Sequence, residues 1–555
     1  MNLLHRLLTA PRPAFSHRVR SPSAVRSRIS RIRRPPRIGR RRCAAVGVLA
    51  VLLTAVGAPA RSAPKPVERD IEAYRAAMED ADQKIAAAEK AHSEVMQNEE
   101  YLVTFIGPRL TGSPAMQKAS RWTLDLFRKY GLDAHLETTQ VPHAWSRGND
   151  WGEITAPLQH WITVRSAAWS KATPGVVTGR LVILARDARP ADILASAGRY
   201  KNAIVLIDRS PGPAELPPNP PSAYEAVVAK PHGLTLTMPM ATAVQQLQAQ
   251  SQITSALARV GVAAELLDSH APDGLIGMGT AAYPPYEPSA YPEAFISHSD
   301  YQWLLRLARA GEATLRLHLE GTFSPGPAPA SITVAQIKGS QHPDEQVILG
   351  GHLDSWDLGD GAVDNGTGAM AVVEAARLLK SLGWIPRRTL TFVLFTGEEQ
   401  GGRGVESGKL TGGLGAQLFL DNHAGELDKV DAVLIDDSGA GRITSIPLEN
   451  DWPTALLMAR IYEPLQKVFQ LDPITNAYFG GTDNAPFQWV GIPALLCIQE
   501  PAGYGLAHHT NADVFELVRP DALQQQAAVL AAWMWNVSEL PESLPHHATG
   551  VKLEF

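Results

Sequence analysis

"EQVILGGHLDSWDLGDGAVDNGTGAMAVVEAARLLKSLG", residues 345–383, sets a short apolar run against a longer apolar stretch and packs four acids between them. "EQVILGG" has the length and texture of a buried strand. "GAMAVVEAARLLKSLG" repeats its apolar residues at helical spacing. In between, Asp354, Asp357, Asp360 and Asp364 fall within eleven positions beside His352. Acids this dense repel one another unless solvent separates them or a cation sits among them.

Downstream the same pattern repeats. "TLTFVLFT", "DAVLIDD" and "PALLCIQ" read as strands, and helical patterns lie near 454–470 and 520–539. Strands alternating with helices predict an α/β fold, a mixed, largely parallel sheet flanked by helices. Ligand sites in such sheets form beyond the carboxyl ends of the strands. The first strand ends at His352, the second at Glu398 and Glu399, the third at Asp436 and Asp437; the loop after "PALLCIQE" carries His508 and His509, and Asp364 opens a helix. Five segments thus deliver imidazoles or carboxylates to one rim. Mixed ligands of this kind suit zinc or a similar divalent ion, and a carboxylate shared by two ions suits hydrolysis.

Upstream, residues 66–165 begin with helical spacing and form the N-terminal part of a catalytic domain. From 166 to 327 the chain turns Pro-rich, with short β-type runs such as "GRLVILA" and "NAIVLID", and ends in the linker-like "SPGPAPA" at 324–330. These features predict an inserted β-rich domain. Residues 328–540 form the metal-binding part of the catalytic domain, and 541–555 a tail. Residues 1–60 read as a targeting segment: "GRRR" at 39–42, the apolar run "CAAVGVLAVLLTAVG" at 43–57, and small residues at 58–60. That run is short for a membrane span. Export with cleavage near Ala60 follows, whether to the outside or to a periplasm, with no stable membrane insertion. The leader holds 13 Arg and no acid, leaving 38 of the 51 basic residues against all 56 acids. A body this acidic gives no support to nucleic-acid binding.

"GPRLTGS" at 107–113, "GGHLDSWDLGDGAVDNGTGA" at 350–369, "TGEEQGGRG" at 396–404, "DDSGAG" at 436–441, "GGTDNAPF" at 480–487 and "AHHTNAD" at 507–513 resemble, in order and spacing, the co-catalytic zinc aminopeptidase family. "VPHAWSRG" at 141–148 and the protease-associated-type insert strengthen a likeness to its carboxypeptidase Q branch. The resemblance spans roughly residues 66–540. It implies a zinc exopeptidase fold and two Zn2+ ions, one held by His352, Asp364 and Asp437, the other by Asp364, Glu399 and His509. Asp364 bridges them. Asp436 and Asp437 both fit the position, and the family's Asp-small-Gly pattern favours Asp437. Glu398 is implied as general base, Asp354 as the acid that orients His352, and His508 as a substrate-facing donor. Asp483 and the metal-site carboxylates are candidate partners for a substrate's α-ammonium. The peptide bond after Asp364 is expected to be cis.

Short peptides are the implied substrates, cut by a dipeptidase, aminopeptidase or carboxypeptidase activity; a homodimer is left open. A glutaminyl cyclase-like acyltransferase and a non-catalytic receptor-like binding protein share the fold and are the competing readings. Asp357 and Asp360 read as solvated loop charges. "NGT" at 365–367 and "NVS" at 536–538 fit a glycosylation sequon.

Overall fold

The computed structural model describes residues 66–207, 240–272, 274–281, 284–311, 313–400, 405–406, 409–410, 413–449, 451, 453–478 and 481–546. The leader lies outside them. Strand Arg388–Phe395 is buried at every position, as a central strand covered on both faces must be. Its side chains alternate between two cores: Phe392 and Leu394 pack in one with Val347 and Leu349, while Val393 and Phe395 pack in the other with Ile348. This two-residue period is the strand geometry itself.

Strand His342–His352 runs parallel to Arg388–Phe395 on one side and to Val430–Ile435 on the other, and Ala494–Leu496 extends the parallel half beyond Val430–Ile435. Ala328–Ile337 and Asp133–Val141 complete the six-stranded sheet as antiparallel neighbours. The sheet is therefore mixed and largely parallel. Helices Thr367–Ser381 and Pro520–Ser538 share the first core, and Leu414–Asn422 and Asn484–Trp489 supply Phe419 and Phe487 to the second. All carboxyl ends of the parallel half face one rim.

An eight-stranded sheet takes its strands from residues 151–318. Its first strand, Trp151–Ala156, precedes the Pro-rich texture that marks the insert in sequence. Four of its strands, Val177–Leu184, Ile204–Ile207, Ala264–Asp268 and Glu293–Ile296, are parallel neighbours in that order. Helices Met240–Val260 and His298–Ala310 cover it, with Leu257 and Leu304 fully buried.

Both sequon asparagines are interior. Asn365 donates to the Asp436 carbonyl at 2.7 Å, and Asn536 donates to the Asp82 carboxylate at 3.0 and 3.2 Å. Neither is open to a glycan in the folded chain. No described helix is long and apolar enough to cross a membrane.

Candidate metal centre

His352 closes its strand as a buried side chain. Its Nδ1 lies 3.0 Å from the backbone carbonyl of Asp354. A carbonyl can only accept, so Nδ1 carries the proton and Nε2 turns toward the acids. Nε2 stands 3.2 Å from Asp437 Oδ1 and 3.4 Å from Asp364 Oδ1. On the far side of the same carboxylate, Asp364 Oδ2 lies 3.5 Å from His509 Nε2, which is 2.9 Å from Glu399 Oε2. The structure thus brings together His352, Asp364, Glu399, Asp437 and His509, and the two oxygens of Asp364 face two different sets of partners.

The loops around these residues are fixed by buried polar contacts. Asp364 sits in the turn Ala362–Gly366, and its peptide bond to Asn365 is cis. Asp513, 149 residues later, accepts the amides of Val363 at 2.6 Å and Asp364 at 3.3 Å. Arg109, fully buried, donates to the carbonyls of Leu353, Gly107, Asp360 and Gly361. Trp356 donates to Glu399 Oε2 at 2.7 Å, and Thr482 donates to Asp437 Oδ2. Asp436 points elsewhere, to Gln499 at 2.7 Å.

Asp354 does more than flank the imidazole. Its carboxylate stands 3.8 Å from His352 Nδ1, beyond hydrogen-bond reach, and accepts instead from Thr111 Oγ1 at 3.1 Å and from the amides of Glu398 at 3.4 Å and Glu399 at 3.3 Å. Its backbone holds the ring and its side chain holds the turn that presents Glu398. Glu398 is half-buried on that turn. His508 stacks on His509 at 3.8 Å between ring centroids, and its Nε2 is 3.9 Å from Asp364 Oδ2. Asp483 is completely buried, with neither carboxylate oxygen hydrogen-bonded, next to the Gly413 that also borders Glu398. Asp357 and Asp360 are not solvated charges: Arg147 clasps Asp357 with bonds of 2.8 and 2.7 Å, and Asp360 accepts the Phe515 amide at 3.2 Å.

This chemistry calls for positive charge. Burial, then the nearby Asp364, pushes the Glu399 carboxyl well above the usual carboxylate range. Burial also opposes charge on Asp364, yet His352, His508 and His509 hold it below the ordinary value. Burial opposes a charged His352 too, but Asp437 and Asp364 raise it well above an ordinary imidazole. Asp364 Oδ2 and Glu399 Oε1 are buried and accept no hydrogen bond. Two imidazoles and three carboxylates converging with orphaned oxygens fit a borderline divalent cation.

A loop of the eight-stranded sheet's segment braces the same site. Met278 donates its amide to the His509 carbonyl at 2.7 Å, and Ile276 donates to Asn511 Oδ1 at 2.8 Å. Gly277 and Thr510 form an antiparallel bridge.

Residues 333–534 match the family model for Peptidase family M28. Carboxypeptidase Q of Mus musculus is 29% identical over 450 residues, covering 80% of this chain and 85% of that protein. A crystal structure of a peptidase M28 precursor from Shewanella amazonensis is 26% identical with a TM-score of 0.66, covering 85% of this chain and 100% of that one. An aminopeptidase from an Aneurinibacillus strain, 18% identical with a TM-score of 0.54, covers 84% of this chain and 98% of its own and shares the fold.

Proposed function

We propose that this chain, a metallopeptidase of family M28, is an exported exopeptidase that hydrolyses short peptides at a site holding two zinc ions. The observation that carries the reading is the placement of Asp364, whose Oδ1 faces His352 while Oδ2 faces His509. One ion belongs to His352, Asp364 and Asp437, the other to Asp364, Glu399 and His509. When bound, such ions polarise the scissile carbonyl and lower the pKa of a water molecule.

The chain's own residues supply the rest. Glu398 takes a proton from the attacking water and returns it to the leaving amine as the C–N bond breaks. Asp354 aims that carboxylate through its bonds to the Glu398 and Glu399 amides. His508 stands beside His509 to donate to the developing oxyanion. Burial, then the nearby Glu398, pushes the Asp483 carboxyl well above the usual carboxylate range, and a substrate's α-ammonium would supply the positive charge that favours its ionised form. The Ile276–Met278 loop, bonded to the His509 segment, restricts the length of chain that enters. Export rests on the Arg-rich and apolar composition of residues 1–60.

The test compares kcat/KM for a free dipeptide, its N-acetylated form and a long unstructured protein. Losing the ammonium should lower kcat/KM about tenfold to a hundredfold, the value of one charged hydrogen bond. Equal rates for the free and acetylated dipeptides would remove amine recognition, and rapid internal cleavage of the long chain would remove the exopeptidase reading. An N-terminal glutaminyl peptide in the same series should be cleaved; its cyclisation would point to the acyltransferase.

A further inference from the structure

We propose that Asp268, His270 and His298 form another metal centre, outside the peptidase site, that takes a divalent cation of the zinc class. Ala264–Asp268 and Glu293–Ile296 are adjacent parallel strands, with Asp268 opposite Ile296. Both end at the same rim, where α/β sheets place ligands. Asp268 closes the first strand. The second continues through Ser297, whose side chain caps the following helix by accepting the Asp300 amide, so that His298 opens that helix over the end of its neighbour.

The three side chains converge on one carboxylate. His298 Nδ1 lies 3.0 and 2.9 Å from the two oxygens of Asp268, and His270 Nδ1 lies 3.3 Å from Oδ2. One ligand atom from each residue falls within 4.8 Å of the other two. Tetrahedral zinc with nitrogen and oxygen ligands at its usual bond lengths holds them about 3.3 Å apart. The His270 pair already has that spacing, and the His298 pair reaches it by a small opening. Asp268 forms the floor with its side chain 5% exposed, whereas the imidazoles are 63% and 48% exposed. The outer face is thus left to water or a further ligand.

A carboxylate satisfied by His298 alone would not need the second ring. His270 nevertheless has φ of +53°, in the left-handed region that costs a side-chain-bearing residue energy. In that conformation its amide donates to Asp268 Oδ1 at 2.9 Å and its ring turns onto Oδ2. The backbone departure brings the His270 imidazole onto Oδ2, the oxygen that His298 also approaches, which suits a shared cation better than two independent ion pairs. The loop that starts here closes on itself, with Ser269 Oγ donating to the Leu275 carbonyl at 3.2 Å, and runs on to Met278 and its bond with His509.

The experiment is a Zn2+ titration of metal-depleted full-length protein against a chromophoric chelator, run beside the His270→Ala/His298→Ala double variant. Wild type should take up one equivalent more than the variant, and zinc-loaded variant should keep its dipeptide turnover within about twofold, since neither residue touches the peptidase site. Glu399→Ala should lose zinc from the peptidase site yet retain this additional equivalent, which separates failure of this centre from failure of the two-zinc reading. Should the double variant lose turnover through misfolding, the isosteric Asp268→Asn variant must show the same one-equivalent deficit. Equal zinc uptake with equal affinity in wild type and the folded variant would overturn the proposal.

Discussion

Glu398→Gln is expected to lower kcat on a free dipeptide by a factor on the order of 10³, the usual contribution of a positioned general base, while metal content stays at the wild-type level. The reason lies in the division of labour on one turn. Glu399 contributes the oxygen that stands 2.9 Å from His509, whereas Glu398 is attached to the scaffold through its amide and Asp354. Glutamine keeps the shape and that amide but cannot accept a proton. Elemental analysis beside steady-state kinetics decides the matter: a variant that loses metal would make Glu398 a ligand, and one that keeps its rate would remove it from proton transfer.

Asp364→Ala should lose metal and rate together. Its two oxygens serve both partner sets, so no other single substitution among the proposed ligands empties both positions. The rate should fall by about 10³-fold or more, the several kcal/mol that a bound cation contributes to carbonyl polarisation. His352→Ala, by contrast, should leave the His509 side with its own ligands. Metal analysis of the two variants separates a bridging carboxylate from an ordinary ligand: equal residual metal in both would argue against the bridge.

Much of this was legible in sequence because strand ends are local events. An apolar run followed by His352, or by Glu398 and Glu399, reports both the strand and the rim on which it ends. The sheet's mixed order was legible as a class from the alternation of strands and helices. The supports were not. Asp513 reaches Asp364 across 149 residues and Arg109 reaches Leu353 across 244, separations that no periodicity encodes. Trp356 and Thr482 stood inside recognisable motifs, yet nothing in the motifs says that an indole or a hydroxyl points at Glu399 or Asp437. Asp357 looked like solvated charge because its partner, Arg147, comes from 210 residues upstream. The insert's composition announced its strands, but the parallel pairing of Ile204 with Ala264 depends on a long intervening segment and left no local mark. The convergence of Asp268, His270 and His298 arises from the next parallel pair, Ala264–Asp268 with Glu293–Ile296, and was invisible for the same reason.

An acid-rich rim of this kind is expected to work only with metal bound. The most direct test is the dipeptide turnover of chelator-treated protein, shown to be metal-free by elemental analysis, before and after zinc is restored. The metal-free protein should show no measurable rate and recover it when zinc is added; full turnover by the metal-free protein would contradict a metal-dependent site.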